Sequence, residues 1–359
     1  MLVRVPDYYS KFVCSGTDCP DTCCRGWLIE IDSDSYERFM RLEGSIGEEI
    51  RRNIVIRDGI PYIATNEDGH CSFLNKDRLC DLYIKLGPGS QCALCDNFPR
   101  IGEEYGSLRE LGLSAACPEA AGMILNHTGK ISYEEWEIDE DYQTDTASLA
   151  SFDIMLRLRE VAILIAENSA IGVNKRLALL LVFASQIQNG MDSNDADELE
   201  NIIIRFTDNT YMDRLLTNIE KDLKVSDSAE IMEEIYHSME KLCINKDWAE
   251  CINEAYGMEA GKSDFTELNY ENMMVYFLLR YFLKAHSDGD VYSKTVFIFY
   301  SLLLLNDMSA KLKRSREYLF YMFSREIEHC EENMELLFDM FYDIDWNNPQ
   351  KLIKSIYFY

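Results

Sequence analysis

The chain has 359 residues, of which 47% are hydrophobic and 27% are charged, a composition typical of folded soluble proteins and unlike that of disordered ones. Its 63 acidic residues outnumber its 35 basic residues, which gives a formal net charge of −28. Because such a charge repels phosphates and anionic lipid head groups, it disfavours binding to nucleic acid or to a membrane surface. It is compatible with a lysine-rich protein partner.

The start of the sequence lacks the apolar segment of a secretory signal. The longest apolar stretches, at 177–184 and 296–305, are shorter than the roughly 18 residues that a membrane span requires. We therefore expect a cytoplasmic protein. Thiols stay reduced in the cytoplasm, so clustered cysteines there bind metal or act in catalysis more often than they form disulfides.

The first 130 residues contain most of the glycine and cysteine, which predicts short elements joined by loops. Asp32 or Ser33 is expected to cap the first of two short helices. Farther along, Asp58-Gly59 between two apolar runs predicts the turn of a β-hairpin.

A third helix is predicted over 79–86, ending at Gly87. The segment 133–145 is strongly acidic and predicts a linker or a solvated strap. Beyond residue 148 proline is almost absent and apolar residues recur every three or four positions, which indicates helices. The predicted fold is mainly α, with a small cysteine-rich α+β metal-binding region (residues 1–130) followed by a multi-helix bundle (residues 146–359).

Nine of the twelve cysteines lie between Cys14 and Cys117. Thiolate is a soft ligand suited to zinc, copper(I) and iron–sulfur clusters, and both zinc and cubane clusters commonly take four such ligands. We interpret the nine as a metal-binding set, with either two sites or several spectator thiols. The later cysteines, Cys243, Cys251 and Cys330, are better explained as buried core residues.

The spacing of the cysteines bears on the metal. Only Cys92 and Cys95 have the C-x2-C spacing, so an ordinary zinc ribbon is disfavoured. The C-x3-C-x2-C signature of radical S-adenosylmethionine enzymes begins at Cys19 and Cys23 but fails at Gly26. An iron–sulfur cluster with widely separated ligands is the preferred interpretation, and zinc is the alternative.

Four fragments of this region together resemble the flagellin lysine-N-methylase (FliB) family. They are, in order, Cys14-x4-Cys19-x3-Cys23-Cys24-Arg25-Gly26-Trp27, then Cys71-Ser72-Phe73-Leu74 followed by Arg78-Leu79-Cys80, then Cys95-x2-Phe98-Pro99-Arg100, and Ala116-Cys117-Pro118-Glu119. The resemblance covers about residues 5–125, and beyond them it is one of length and helical texture. A smaller zinc- or iron-chelating family of YkgJ type shares the double-cysteine character.

The resemblance implies transfer of a methyl group from S-adenosylmethionine to lysine ε-amines of flagellin, or of another lysine-bearing protein, assisted by a [4Fe-4S] cluster. By matching position it implies eight candidate cluster ligands, namely Cys14, Cys19, Cys23, Cys24, Cys71, Cys80, Cys95 and Cys117. Cys92 stands where relatives are expected to have a small polar residue, so its inclusion is open. The competing hypothesis is a non-enzymatic zinc- or iron-binding protein that acts in interaction or electron transfer.

The sequence has no G-x-G-x-x-G loop, so a site for S-adenosylmethionine must be of another type than the doubly wound fold provides. One hypothesis is that an open iron holds the amino-acid end of this cofactor and that Arg100 or Arg109 pairs with its carboxylate. A surface ion pair is the simpler interpretation of both arginines. Because methyl transfer needs a neutral amine, Glu119 and Tyr105 are the candidate bases, although Glu119 equally suits the start of a helix after Pro118.

Overall fold

The computed structural model describes residues 1–67, 69–140, 146–222, 228–343 and 345–356 of the chain. The fold is mainly α, as predicted. The helices of the C-terminal part are α6 (Thr146–Ala166), α7 (Val173–Asp192), α8 (Ala196–Thr207), α9 (Asn209–Asp222), α10 (Ser228–Met239), α11 (Lys246–Tyr256), α12 (Glu267–Tyr281), α13 (Ala285–Asp288), α14 (Tyr292–Lys311), α15 (Arg316–Phe323), α16 (Glu331–Phe341) and α17 (Pro349–Ile356). Within the described ranges, none of these helices has the length and apolarity that crossing a membrane demands.

The N-terminal part is α+β. Its strands are β1 (Leu2–Pro6), β2 (Ile29–Glu30), β3 (Ile54–Arg57), β4 (Ile60–Ile63), β5 (Arg100–Tyr105), β6 (Leu108–Leu113) and β7 (Tyr133–Glu137). Its helices are α1 (Ser33–Arg41), α2 (Gly44–Arg52), α3 (Asp81–Leu86), α4 (Ala93–Asn97) and α5 (Pro118–Leu125).

Two local predictions in this part are confirmed. Asp32 is the cap of α1, because its carboxylate accepts a hydrogen bond from the backbone N–H of Ser35 at 2.9 Å. Strands β3 and β4 form the predicted hairpin, and Asp58 and Gly59 both adopt the positive φ angles, 51° and 86°, that a tight two-residue turn requires.

The acidic segment predicted as a linker or strap is instead a strand over its first five residues. Strand β7 pairs antiparallel with β1 at the edge of a four-stranded sheet of order β5-β6-β1-β7. Its acidic residues are exposed, and Glu135 pairs with Arg4 of β1 at 2.7 Å. Charged side chains suit the outer face of an edge strand, so acidity did not exclude pairing. Residues 141–145 of the same prediction lie outside the described residues.

The buried hydrophobic residues form two cores, and the predicted division between residues 1–130 and 146–359 stays a prediction. The large core is centred on α14, which is buried on all sides, and it also contains Leu113 of β6 and Ile124 of α5. A second, smaller core lies within residues 29–92 and includes Phe39, Phe73 and two cysteines. The four-stranded sheet is therefore fixed to the helical body, while residues 29–92 surround a core of their own.

Helix α15 continues directly into a π-helical turn, Ser324–Glu328, whose five residues are all buried. Single π turns inside helices occur frequently at functional sites. This turn lies where the helical body meets the cysteine-rich region, and three of its five side chains are charged. Their partners define the site described next.

Candidate metal centre and adjoining cavity

Three of the N-terminal cysteines occupy the same position relative to a helix. Cys80, Cys92 and Cys117 are the residues immediately before α3, α4 and α5, where the first backbone N–H groups have no partner within the helix. Burial raises the pKa of the Cys80 and Cys117 thiols, and hydrogen bonds from N–H groups of the following helix oppose that rise. Sulfur atoms that accept backbone hydrogen bonds are well suited to bind metal as thiolates.

All nine N-terminal cysteines are free thiols, and two of them, Cys23 and Cys117, have other cysteine thiols near enough to affect their pKa values. Burial raises the pKa of Cys117 to about 11, and the adjacent Cys19 and Cys14 thiols act in the same direction. A hydrogen bond to Cys24 is the main cause of the raised pKa of Cys23, with further effects of burial and of the Cys14 and Cys117 thiols. We call Cys14, Cys19, Cys23 and Cys117 the first thiol group.

The other five cysteines form a second thiol group, Cys24, Cys71, Cys80, Cys92 and Cys95. Burial raises the pKa of Cys71 to about 12, and the neighbouring Cys24, Cys80 and Cys92 thiols raise it further. Hydrogen bonding between the Cys92 and Cys95 thiols lowers the pKa of Cys92 and raises that of Cys95. Cys23 and Cys24 interact with each other, and both affect Cys95, so these two adjacent residues join the two groups.

The sequence left the inclusion of Cys92 open, and the structure places it in the second thiol group. Its side chain is completely buried and lies beside Cys95. In the described part of the chain, however, no three side chains of histidine, cysteine, aspartate or glutamate form a group that could hold a metal ion as they stand. Placing four sulfurs around one centre thus requires further rotation of cysteine side chains or closure of their loops.

The cysteine-rich region contacts the π-helical turn through a buried ion pair. Arg325 donates to the carboxylate of Asp21 at 3.0 Å, and the Tyr321 hydroxyl donates to the same oxygen at 3.1 Å. The guanidinium of Arg325 also donates to the carbonyl of Arg25 and lies 5.1 Å from the ring centroid of Trp27. The segment Arg25-Gly26-Trp27 of the family-like fragment is therefore a docking segment.

Glycine is required at position 26 for two reasons. Its φ angle is +87°, a conformation that strains any residue with a Cβ. A Cβ placed there would also lie 2.7 Å from Nη2 of Arg325. Arg325 also affects a thiol. The pKa of Cys24 is lowered to about 7, mainly by a hydrogen bond from Cys23, and the Thr22 hydroxyl and the positive charge of Arg325 lower it further.

A second buried network begins at Glu328, three residues beyond Arg325 on the same turn. Its carboxylate accepts from Nε of Arg280 at 3.0 Å and from the Tyr281 hydroxyl at 2.8 Å. The hydroxyl of Tyr276 also donates to Glu328 and in turn accepts from the backbone N–H of Ala115 at 3.2 Å. Ala115 lies two residues before Cys117, so this network reaches the first thiol group.

A cavity of 250 Å³ lies between the four-stranded sheet and helix α12. Its lining combines tyrosine rings with charged groups, chiefly Tyr8, Tyr105, Tyr133 and Tyr276 together with Arg4, Glu103, Arg280 and Lys284. An open groove of 690 Å³ shares Arg280 and Lys284 with this cavity. The groove is predominantly acidic, since the carboxylates of Asp288, Asp290, Glu328, Glu331, Glu335 and Asp339 line it against the three cations of Arg280, Lys284 and Lys294.

A model of the FliB lysine N-methylase C-terminal domain matches residues 159–354, which form this helical body. The chain belongs to the FliB lysine N-methylase family. The matched range includes Arg280, Arg325 and Glu328 and leaves out all nine N-terminal cysteines. The resemblance seen in the sequence rests on residues 5–125, whereas the family model matches the helical body. The YkgJ-type resemblance stays a prediction.

Proteins similar to this FliB-family chain come from Salmonella. The lysine-N-methylases of Salmonella typhimurium and Salmonella choleraesuis are each 26% identical over 256 residues, which is 67% of this chain and 62% of theirs. The flagellar biosynthetic protein FliU of Salmonella muenchen is 30% identical over 137 residues, 35% of this chain and 78% of its own. The chain thus spans less than two thirds of the length of the two methylases. No solved structure matches it.

The predicted catalytic and cofactor residues of the FliB-family chain do not lie together. Tyr105 lines the cavity and stacks on Phe152, whereas Glu119 lies in the first turn of α5, two residues after Cys117. Burial, with the charges of two glutamates, raises the pKa of the Tyr105 phenol.

The two predicted arginines lie at different places on the sheet. Arg100 packs over the rings of Tyr9 and Phe12. Arg109 pairs with Glu104 and Glu140, both at 2.6 Å. A surface or structural contact accounts for each guanidinium, and their roles toward a cofactor stay predictions.

Sequence reasoning missed Arg280, Arg325 and Glu328. Each is a charged residue within or directly after a run of apolar helical positions, and each is almost completely shielded from solvent, with side-chain exposures of 12%, 3% and 0%. Buried charges are rare unless paired, so a charge interrupting an apolar helical face was the available signal. The partners, however, are distant in sequence and were not deducible from it.

Proposed function

We propose that this chain is a protein-lysine N-methyltransferase that uses S-adenosylmethionine and carries an iron–sulfur cluster on its N-terminal cysteines. The observation that carries the proposal is the membership of the helical body in the FliB lysine N-methylase family. That body contributes α12 and the π-helical turn to the cavity and groove beside the thiol groups. A small-molecule donor and a protein acceptor would thus meet at Arg280 and Lys284.

The acidic groove supports a lysine-bearing acceptor. Several carboxylates along one open groove attract an ammonium group and a basic peptide around it, and the formal charge of −28 adds to this attraction at long range. Flagellin is the acceptor that the names of the relatives favour, since one of them is a flagellar biosynthetic protein. Another lysine-rich surface protein would satisfy the same electrostatics.

The reaction transfers one carbon. The lone pair of the neutral lysine ε-nitrogen forms a bond to the methyl carbon, the sulfur–carbon bond breaks, and its electron pair stays on sulfur to give S-adenosylhomocysteine. The lysine must first lose a proton, which a groove carboxylate or water accepts. Because its pKa is raised, Tyr105 stays protonated at neutral pH and is suited to donate a hydrogen bond in the cavity. Glu119 remains a predicted base.

The thiols fit an iron–sulfur cluster in donor type and in surroundings. Cys80, Cys92 and Cys117 each come immediately before a helix, and both thiol groups supply at least four soft ligands. We propose the first thiol group and the second thiol group as ligands, Cys92 included. A cluster bound there supplies a redox-active, Lewis-acidic iron, and zinc is the alternative occupant.

The test combines metal analysis with methyl transfer. Full-length protein purified without oxygen is analysed for iron, sulfide and zinc, and is then incubated with methyl-labelled S-adenosylmethionine and flagellin. We expect iron and sulfide in the protein and label in flagellin lysines. Cys24→Ser and Cys117→Ser should lose metal, whereas Cys243→Ser, at an exposed position far along the chain, serves as the control. If wild-type protein without metal methylates flagellin as well as the metal-containing protein does, the proposed cluster is refuted. If neither flagellin nor any other protein offered as acceptor gains the label, the proposed methyltransferase activity is refuted.

A further inference from the structure

We propose that the cavity between the four-stranded sheet and α12 binds the methyl donor, and that Nη1 of Arg280 pairs with the carboxylate at the amino-acid end of that donor. The inference rests on the proposed function and assigns its small-molecule site. The donor's site was predicted from sequence at Arg100 or Arg109, and neither lines this cavity.

The first argument is an unused donor. The Arg280 side chain is 12% exposed, and its Nε is occupied by Glu328 at 3.0 Å and by the Tyr281 hydroxyl at 2.9 Å. Its Nη1 is buried, yet it has no hydrogen-bond partner among the residues that the structure describes. Buried polar groups in folded proteins are almost always satisfied, so an orphaned guanidinium nitrogen beside a cavity indicates a ligand with an acceptor group.

The other cations of the cavity are already paired. Lys284 contacts Glu103 at 2.5 Å, and Arg4 contacts Glu135 at 2.7 Å. Arg280 therefore offers the donor that is left for an incoming anion. The hydroxyl of Tyr133 likewise lines the cavity, is buried and lacks a partner within the described ranges, which adds a second polar group for the same ligand.

The second argument is the aromatic lining. Four tyrosine rings surround a space of 250 Å³. The faces of aromatic rings attract cations, and a desolvated cation gains most from this contact. S-adenosylmethionine combines a carboxylate, which matches Arg280, with a sulfonium cation and an adenine ring, which match tyrosine faces. A lysine side chain in this cavity would supply a cation for the rings but no acceptor for Nη1 of Arg280.

The third argument is position. Tyr276 forms part of the cavity wall and accepts from the N–H of Ala115, two residues before Cys117. Arg280 and Lys284 also line the acidic groove. A donor held by Arg280 would therefore lie next to the proposed acceptor groove and beside the segment that carries a thiol of the first group.

The test measures binding rather than turnover. Calorimetry with the full-length protein compares S-adenosylhomocysteine with 5′-methylthioadenosine, which lacks the amino-acid end. Wild type should prefer S-adenosylhomocysteine, and Arg280→Met should weaken that ligand about tenfold or more while binding methylthioadenosine as wild type does, because only the carboxylate contact is lost. The control is Arg157→Met, at an exposed pair with Glu200 that is remote from the cavity lining.

Arg280→Met also removes a partner of Glu328, so it could weaken binding by disturbing the fold. A second variant therefore tests the same site without touching Arg280. Gly112 lines the cavity, and a Cβ there would meet Ile101 at an ordinary 3.8 Å, so Gly112→Leu fills space without removing a contact. We expect it to weaken both ligands in a folded protein. Unchanged binding in both variants, with wild type still binding the donor and methylating, would overturn this site alone. A wild type that binds neither ligand would overturn the site and the proposed function together.

Discussion

The buried ion pair between Asp21 and Arg325 is predicted to be a main contribution to the attachment of the cysteine-rich region. The two side chains are 10% and 3% exposed and 3.0 Å apart. Asp21→Ala takes from the Arg325 guanidinium its nearer carboxylate, leaving only Glu326 at 3.8 Å, and deprives the Tyr321 hydroxyl of its acceptor. Removing one partner of a buried pair costs about 3–5 kcal/mol of unfolding free energy, because the remaining charge stays buried without compensation.

The matched control is Arg157→Ala, which breaks a pair with Glu200 of even shorter distance, 2.5 Å, between side chains that are 45% and 38% exposed. There water screens the charges, and the expected loss is about 0–1 kcal/mol. Urea unfolding followed by far-ultraviolet circular dichroism and by tryptophan fluorescence measures both variants, and Trp27 reports on the contact itself. The double variant Asp21→Ala/Arg325→Met should recover part of the loss, since it removes both charges of this pair, while Arg25, which also contacts Asp21, keeps Asp247 as a partner. A loss below about 1 kcal/mol for Asp21→Ala would refute the reasoning.

Three further predictions concern the docking segment, the Glu328 network and the metal. Gly26→Ala should lower the unfolding free energy by about 1–3 kcal/mol, because residue 26 has a φ of +87° and its new Cβ would approach Arg325. The control is Gly16→Ala, where φ is +56° and no atom lies within 4 Å of the new Cβ, so the loss measured by the same urea titration should be smaller. Tyr276→Phe should lower the unfolding free energy by about 1–3 kcal/mol, since it removes a donor to Glu328 and leaves the N–H of Ala115 unpaired. The control Tyr256→Phe, at a residue that is 62% exposed, should change the melting temperature little. Removal of metal by chelation should lower the melting temperature of wild type, because ligands of the native state stabilise it; an equal melting temperature before and after chelation would contradict this.

Features of the fold that arise from neighbouring residues were predictable from the sequence. The cap at Asp32 and the turn at Asp58-Gly59 depend on contacts within four residues, and both were located correctly. Strand β7 was not, because it becomes a strand only by pairing with β1, more than a hundred residues earlier. Its composition of glutamates gave no alternation of apolar and polar residues by which a strand is recognised.

The candidate site divides in the same way. The cysteines were found by residue type and density, which need no knowledge of distance. The buried charges were missed because their partners are far away in sequence, 304 residues between Arg325 and Asp21 and 47 between Glu328 and Tyr281. An isolated charge in an apolar helix indicates a partner without naming it. Arg100 and Arg109 do not line the cavity, and their roles toward a cofactor stay predictions.

In the π-helical turn Ser324–Glu328, Arg325 contacts Asp21 and the docking segment, whereas Glu328 pairs with Arg280. In a regular α-helix successive residues are about 100° apart, and a π turn contains one residue more. Deleting a single residue here would therefore restore ordinary winding and rotate one of the two side chains away from its partner. Three peptide units therefore connect the side chain that contacts the docking segment with the side chain that contacts the guanidinium at the cavity.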